Sequence, residues 1–220
     1  MRPVQLDGRL QFPDPRKFAA GWFTETPVAV GGDFSVERLM LAYRNGLFPW
    51  TAKPISWWSP EPRGVIFPEE FHISRSLART LRQKPYTVTV DRAFEQVAAG
   101  CAHAPRPGRW ITPEFIEAYV RLHRVGYAHS VECWRGDELV GGIYGVAVGG
   151  VFCGESMFHT ADNASKVALV SLMELLVAKG FALLDTQMVT ETTLQFGATE
   201  IPRSEYLTIL DAVKAHQPVW

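Results

Sequence analysis

The chain has 220 residues, of which 47% are hydrophobic, and its 22 Lys and Arg residues nearly balance its 23 Asp and Glu residues, for a formal net charge of −1. This composition excludes a disordered, fibrous or collagen-like chain. The near-neutral charge disfavours a protein that is basic over its whole surface, although it is compatible with a local basic patch. The length allows one large domain or two unequal ones.

The cysteines and the apolar runs indicate the compartment. The chain has 3 cysteines and no CxxC pair, which is typical of a reducing cytosol rather than a disulfide framework. The first residues lack the apolar core of a signal peptide. The longest apolar run suited to a helix, 167–178, is too short and too polar to span a bilayer. We therefore expect a cytoplasmic protein without membrane contact.

The N-terminal part is predicted to be a small domain. Residues 1–34 are rich in Pro, Gly and Phe and predict an irregular packed arm. Ser35 is a typical N-cap for a short helix with apolar residues at helical spacing, and Gly46 is a typical helix end. Pro60 and Pro62 then predict a stiff connector. We place the boundary here, with an N-terminal domain over 1–62 and a catalytic domain over 63–220.

The next segment is predicted to alternate helices with one strand. A basic helix over 72–84, capped by Ser74, carries four cations, which are Arg75, Arg79, Arg82 and Lys84. Such a face can bind phosphates, although charged helix faces are usually only solvated. Tyr86 to Val90 predicts a strand, Asp91 is predicted to cap the following helix, and Thr112 is predicted to begin another.

The C-terminal half changes to period two. Strand-like runs cover 129–135, 138–148 and 151–158, and Gly136-Asp137 and Gly149-Gly150 are predicted to be hairpin turns. An amphipathic helix over 165–179, a strand over 181–189 and a last helix from Ser204 to about Ala215 follow. Antiparallel hairpins combined with helices predict an α+β fold with a mixed α/β sheet.

Two polar residues interrupt the apolar strand 181–189. Because strand side chains alternate, we expect Asp185 and Gln187 to share one face. A buried carboxylate needs hydrogen bonds, and the Gln187 amide is a natural donor to it, which would leave the Gln187 carbonyl oxygen to orient an amine. The alternative is a strand edge with two solvated polar groups.

Glu155 is the second candidate, since on period two it shares an apolar face with Cys153 and Met157. A carboxylate there is costly unless it is paired. It therefore predicts either a binding site for a cationic or amine-bearing group, or an internal ion pair with an arginine.

Other motifs give weaker or negative signals. Trp50, Trp57, Trp58 and Trp110 lie beside irregular segments and could stack nucleobases, although most tryptophans are simply core. The histidines show no zinc spacing, and neither a Walker loop nor a GxSxG motif occurs. Segment 159–166 contains no glycine and is a poor pyrophosphate cradle. We expect no metal and no cofactor.

Eleven short strings, in order between about residues 25 and 207, together resemble the leucyl/phenylalanyl-tRNA–protein transferase family. The strings are 31–33, 47–50, 57–60, 72–76, 110–112, 126–132, 139–146, 152–158, 163–166, 185–187 and 201–203.

The resemblance implies a small N-terminal domain and a larger domain like a GNAT acyltransferase. It implies transfer of Leu or Phe, and Met less well, from aminoacyl-tRNA to the α-amino group of proteins that begin with Lys or Arg. The product would be a bacterial N-end rule degradation signal, and a monomer is expected. The alternatives are a CoA-dependent N-acetyltransferase, which the glycine-free 159–166 disfavours, and a non-catalytic tRNA-binding module, which leaves Asp185 and Gln187 unexplained.

The resemblance also implies roles for single residues. Gln187 would accept a hydrogen bond from the attacking amine, Asp185 would hold and polarise Gln187, and Glu155 would attract the acceptor N-terminus. Trp50 and Trp110 would border the terminal adenosine and the ester. Further substrate contacts would come from Ile143, Ser156, Leu172, Leu176 and Leu184, and the tRNA body would lie on the basic helix.

Overall fold

The computed structural model describes residues 2–18, 26–105, 110–216 and 220, and these form two β-sheets with helices packed around them. The predicted mixed α+β class is confirmed. Part of the predicted N-terminal arm, residues 19–25, lies outside the described residues.

The small sheet is formed by residues up to and including Trp58. Its strands are β1 (Val4–Leu6), β2 (Ala29–Gly31), β3 (Phe48–Ala52) and β4 (Ile55–Trp58). Their order is β1-β2-β4-β3, and β1 runs parallel to β2. The arm predicted to be irregular thus contains two strands, which at three residues each are too short to show periodicity.

The first helix follows its prediction. Helix α1 (Val36–Arg44) begins at Ser35, whose side chain accepts a hydrogen bond from the Arg38 N–H. The chain leaves α1 through Gly46 with φ +70°, a backbone conformation that costs glycine little. The end of α1 therefore turns towards the larger sheet, where Tyr43 reaches the site described below.

The large sheet has seven strands in the order β11-β5-β10-β9-β8-β7-β6. They are β5 (Arg63–Ile66), β6 (Thr87–Val90), β7 (Ala128–Arg135), β8 (Glu138–Val148), β9 (Val151–His159), β10 (Leu183–Gln187) and β11 (Thr199–Ile201). The two predicted hairpins are confirmed, since β7 pairs antiparallel with β8, and β8 with β9. The pattern did not predict β5, which is a short, fully buried strand.

Helices cover both faces of this sheet. They are α2 (Arg75–Gln83), α3 (Phe94–His103), α4 (Pro113–Arg124), α5 (Ala164–Ala178), α6 (Glu191–Leu194) and α7 (Arg203–Val213). The β8 side chains alternate between the two cores, because Tyr144 packs in the cluster that holds α3 and α4, whereas Ile143 packs in the cluster that holds α5.

Two local predictions are wrong. Helix α5 is not amphipathic, because nine of its 15 residues are buried, and they share a core cluster with side chains from before and after the helix, such as Leu77 and Phe196. Asp91 does not cap α3. Ala93 occupies the cap position, and the buried Glu132 carboxylate accepts its N–H at 3.4 Å.

The sheet opens between β9 and β10. These strands pair in parallel over only Val151–Cys153 and Leu183–Asp185. Beyond that point, the register of β9 shifts against β8, and the register of β10 shifts against β5 between Asp185 and Gln187. Bulges bend strands and redirect side chains. The carboxyl ends of the two parallel strands therefore separate, which is a frequent position for a ligand in a mixed sheet.

Candidate active site

A pocket of about 560 Å³ lies where β9 and β10 separate, within the range of roughly 300–1,000 Å³ typical of small-ligand sites. Apolar and polar side chains share its wall. The lining residues are Trp50, Trp110, Ile143, Gly154, Glu155, Ser156, Met157, Leu169, Leu184, Thr186, Gln187, Met188, Thr190, Thr192 and Thr193.

Glu155 lies on the pocket wall with 7% of its surface exposed. Its Oε1 lies 2.7 Å from Tyr43 Oη and accepts a hydrogen bond from Gln187 Nε2 at 3.1 Å, and its Oε2 lies 3.0 Å from Tyr119 Oη. The two tyrosine hydroxyls also lie 2.5 Å apart, so their two protons serve three hydrogen-bond contacts. Burial raises the pKa of Glu155 to about 7, although the bonds from both tyrosines favour the ionised form. Among the described residues no arginine forms an ion pair with Glu155, and the donors that contact it are neutral, so this part of the chain does not support the alternative of an internal ion pair.

Asp185 lies behind the pocket wall and is fully buried. Its Oδ1 accepts hydrogen bonds from Arg63 Nε and from the Gln187 backbone N–H, both at 2.8 Å. Its Oδ2 accepts hydrogen bonds from Arg63 Nη2 at 2.5 Å and from Tyr206 Oη at 2.8 Å. Burial alone would lower the pKa of Arg63, but the adjacent carboxylate raises it. Four donors thus compensate the loss of hydration of this charge.

The hydrogen bonds of Gln187 differ from those predicted from the sequence. Its amide does not donate to Asp185; the amide nitrogen donates to Glu155, and only the backbone N–H reaches Asp185. The cause is the β10 bulge, where Gln187 adopts φ +63°, because a bulge breaks the strict alternation of strand side chains. Gln187 therefore lines the pocket beside Glu155, while Asp185 does not.

The structure brings most of the predicted substrate contacts to the pocket. Trp50, Trp110, Ile143, Ser156 and Leu184 all line it. The two indoles stack with ring centroids 5.7 Å apart and an interplanar angle of 13°.

Two predicted contacts lie elsewhere. Leu172 and Leu176 are buried in the core formed by α5 and the sheet and do not line the pocket. Leu169 lines it instead. A helix presents residues about 100° apart, so only part of α5 can face the pocket.

The other tryptophans are structural. Trp57 is fully buried, and its Nε1 donates to the Gly31 carbonyl at 2.9 Å. Trp58 Nε1 donates to Ser56 Oγ at 2.8 Å. Both therefore belong to the small sheet rather than to the pocket.

The predicted basic residues lie on α2 and at its end, apart from the pocket lining. Arg75, Arg79, Arg82 and Lys84 are all exposed. Ser74 caps the helix as predicted, and Leu77 anchors it in the core. The four cations thus form an exposed basic surface, which we call the α2 face.

The sequence did not identify four residues of the site. Arg63 begins an unpredicted strand, and Tyr43, Tyr119 and Tyr206 have the spacing of ordinary helix core residues. The one available signal was Arg63 itself, an arginine that opens the apolar run 63–67.

Within the described part of the chain, one cluster has the composition of a metal site. Ligating atoms of Asp91, His123 and His129 lie within 4.8 Å of one another. Their hydrogen bonds already engage one another and the backbone, since His129 Nδ1 lies 2.7 Å from Asp91 Oδ2 and His123 Nδ1 lies 2.8 Å from the Ala128 carbonyl. None of the three lines the pocket.

No helix in the described ranges has both the length and the hydropathy needed to cross a membrane.

The chain is similar to known proteins over nearly its whole length. A sequence profile described as leucyl/phenylalanyl-tRNA protein transferase matches residues 65–211, and the profile of that family's N-terminal domain matches 32–61. A leucyl/phenylalanyl-tRNA–protein transferase of Shigella dysenteriae serotype 1 is 49% identical over 219 residues, covering 97% of this chain and 92% of the relative. A leucyl/phenylalanyl-tRNA–protein transferase from an Anaeromyxobacter species is 52% identical over 215 residues, covering 96% of this chain and 90% of the relative.

Among solved structures, L-PGS from Bacillus licheniformis matches with a TM-score of 0.43 and 14% identity, covering 68% of this chain and 49% of that chain. The chain belongs to the leucyl/phenylalanyl-tRNA–protein transferase family, and it is an aminoacyltransferase.

Proposed function

We propose that the pocket between β9 and β10 holds the aminoacyl end of a charged tRNA and passes Leu or Phe, and Met less well, to the α-amino group of a protein that begins with Lys or Arg. The observation that carries this proposal is the pair of Glu155 and Gln187, joined by a 3.1 Å hydrogen bond at the wall of an otherwise largely apolar pocket. The family membership supplies the reaction class.

The donor side chain occupies the apolar part of the pocket. Ile143, Met157, Leu169 and Leu184 give this part a wall without charged groups. Apolar slots discriminate by only about 1–3 kcal/mol per methylene. Selection among Leu, Phe and Met is therefore expected to be graded rather than absolute. The stacked Trp50 and Trp110 border the terminal adenosine and the ester bond.

The acceptor amine is oriented by Gln187. The O and N atoms of an amide are assigned from their hydrogen bonds, and an ionised Glu155 can only accept, so the Gln187 nitrogen must face it. The carbonyl oxygen of Gln187 is then the amide atom available to accept a hydrogen bond from the incoming amine. Asp185, which the sequence suggested as a catalytic partner, acts from behind the wall by holding the Gln187 backbone.

Glu155 attracts the acceptor amine and takes its proton. The amine nitrogen attacks the ester carbonyl carbon, the new C–N bond forms, and the bond to the ribose oxygen breaks as that oxygen receives the proton that Glu155 took from the amine. An α-amino group has a pKa of about 8, so roughly a tenth is already neutral at pH 7. A carboxylate whose pKa is raised to about 7 is matched to this transfer. Positioning supplies much of the remaining acceleration.

The tRNA body lies on the α2 face. Three exposed arginines on one short helix, with Lys84 directly after it, suit phosphate contacts, which carry little sequence information and weaken with salt. Recognition of the RNA is thus expected to rest on shape and backbone.

The division of the chain at residues 1–62 and 63–220 is part of the proposal. It is supported by the change from the small sheet to the large sheet between Trp58 and Arg63. We further propose that the protein acts as a monomer in the cytoplasm and creates N-end rule degradation signals.

The experiment is transfer of radiolabelled Leu from charged tRNA to a protein that begins with Arg. We expect labelling of this acceptor and none of the same protein beginning with Met. Gln187→Ala should slow single-turnover transfer, whereas Gln5→Ala, in the small sheet, should not. Equal labelling of the two acceptors, or binding of acetyl-CoA in calorimetry, would contradict the proposal and favour the acetyltransferase alternative.

A further inference from the structure

We propose that Arg63 and Tyr206 are positioning residues of the transfer reaction, which act through Asp185 on the backbone of Gln187. This inference rests on the proposed function for its kinetic consequences. Its geometric part concerns how the β10 bulge is held, and that part can be tested without the reaction.

The backbone of Gln187 adopts a φ of +63°, which is uncommon for a residue other than glycine. Such a conformation persists only where the surroundings enforce it. The Asp185 carboxylate enforces it here, because its Oδ1 accepts the Gln187 N–H two residues along the chain at 2.8 Å. A carboxylate that bonds to the backbone two residues on stabilises a turn of this kind.

The opposite strand leaves space for this turn. A Cβ atom on Gly64 of β5 would lie 2.4 Å from the Met188 carbonyl carbon, so only glycine allows the bulge to approach β5 this closely. The turn directs the Gln187 side chain to Glu155 and the pocket.

The orientation of Asp185 is fixed in turn by Arg63 and Tyr206. The guanidinium bonds to both carboxylate oxygens, and the Tyr206 hydroxyl bonds to Oδ2. The guanidinium also lies over the Tyr206 ring, 4.4 Å from its centroid, and Nη1 donates to the Gly46 carbonyl at 3.2 Å. A bidentate arginine defines the plane of a carboxylate. With that plane defined, Oδ1 is held where it accepts the Gln187 N–H as well as Arg63 Nε.

Neither Arg63 nor Tyr206 lines the pocket, so their loss should change the reaction step more than substrate binding. Displacement of a reacting group by about 1 Å can slow a reaction roughly a hundredfold. We expect Tyr206→Phe, which keeps the ring over Arg63 and removes the hydroxyl that donates to Asp185 and accepts from Arg63 Nη2 at 3.5 Å, to slow single-turnover transfer roughly tenfold. The KM for the acceptor and the Kd for tRNA should stay within about twofold of wild type.

A double-variant cycle distinguishes positioning from general structural support. If Tyr206 acts only through Asp185, then Tyr206→Phe should not slow an Asp185→Asn protein any further. Arg63→Lys should behave like Tyr206→Phe, and Arg38→Lys is its matched control, because Arg38 is equally buried but bonds to Asp33 and to carbonyls of the N-terminal arm. Tyr86→Phe controls for loss of a tyrosine hydroxyl elsewhere.

A second measurement does not depend on transfer. Hydrogen exchange of the Gln187 amide, followed by NMR on the full chain, should be faster in Tyr206→Phe than in wild type or Tyr86→Phe. If wild type fails to transfer yet this exchange depends on Tyr206, the proposed function is wrong and the positioning role stands. Unchanged transfer and exchange in Tyr206→Phe, or an equal slowing by Tyr206→Phe in the Asp185→Asn background, would overturn the inference.

Discussion

At the scale of single residues, the site depends on the Glu155 carboxylate, whose hydrogen-bond partners are all neutral side chains. Because the folded-state pKa of Glu155 is raised to about 7 from 4.5, the folded protein binds this proton more tightly than the unfolded chain does. The stabilisation from this group is therefore fully present below about pH 4.5 and is lost as the pH rises through about 7.

Glu155→Gln should reveal this dependence, since glutamine stays uncharged. We expect the melting temperature of the variant to rise relative to wild type as the pH increases from about 5 to about 8. Thermal unfolding at a series of pH values measures it. Glu117→Gln, an exposed change on α4, is the control and should follow wild type. A difference between Glu155→Gln and wild type that does not change with pH would contradict the expected linkage.

A second residue-scale prediction separates the pocket wall from the core beside it. Leu169→Ala should enlarge the apolar slot and change the ratio of Phe to Leu transfer by roughly tenfold, because an apolar pocket discriminates by about 1–3 kcal/mol per methylene. Leu172→Ala, one turn along α5, should lower the free energy of unfolding by about 2–5 kcal/mol and leave the ratio unchanged.

Competition between the two charged tRNAs, together with urea unfolding, tests both variants. If Leu172→Ala changed the donor ratio as strongly as Leu169→Ala, the assignment of the wall would be wrong.

The residues found from the sequence and those missed differ in a physical way. Glu155 and Gln187 are polar residues within apolar strands, which is a local signal. Arg63 and Tyr43 gain their roles from partners 122 and 112 residues away, and no pattern within a segment reports such a contact. The predicted bond between Asp185 and the Gln187 amide failed because the bulge depends on pairing with β5.

At the scale of elements, local sequence signals such as helix caps and turn residues were sufficient to predict most of the helices and hairpins. Helix α1, the basic helix and the hairpins of β7, β8 and β9 have caps or turn residues of their own. The prediction for helix α5 was wrong because residues distant in sequence, such as Leu77 and Phe196, share its buried cluster, and the pattern within the helix does not report those contacts. Strand β5 was not predicted, because its four residues are all buried and show no alternation of buried and exposed positions.

The α2 face gives the prediction at this scale. Arg79→Gln should weaken tRNA binding and reduce the slope of log K against log salt by about 1, because one phosphate contact is lost. Arg124→Gln, a matched change on the exposed end of α4, should leave the slope unchanged. Filter binding at several salt concentrations measures both, and equal slopes for wild type and Arg79→Gln would exclude this face as the RNA contact.

At the scale of the whole molecule, the N-terminal part completes the site of the larger sheet. Tyr43 from α1 and Tyr119 from α4 meet on opposite oxygens of Glu155, and the Gly46 carbonyl bonds to Arg63. Helix α1 therefore does more than cover the core, since its Tyr43 supplies a hydrogen bond that lowers the pKa of Glu155 in the pocket wall. This arrangement predicts that the two parts of the chain are interdependent in the reaction.

That interdependence predicts the effect of Tyr43→Phe on the pH dependence of transfer. The hydrogen bond from Tyr43 lowers the pKa of Glu155, so its loss should raise that pKa further and move the acid limb of the rate profile to higher pH. Tyr119→Phe should move the limb in the same direction, because its hydroxyl also favours the ionised carboxylate. Single-turnover rates between about pH 5 and pH 9 measure the shift, with Tyr86→Phe as control. A limb that stays in place in both variants, or moves to lower pH, would mean that Glu155 does not accept the proton and that the N-terminal part contributes only packing.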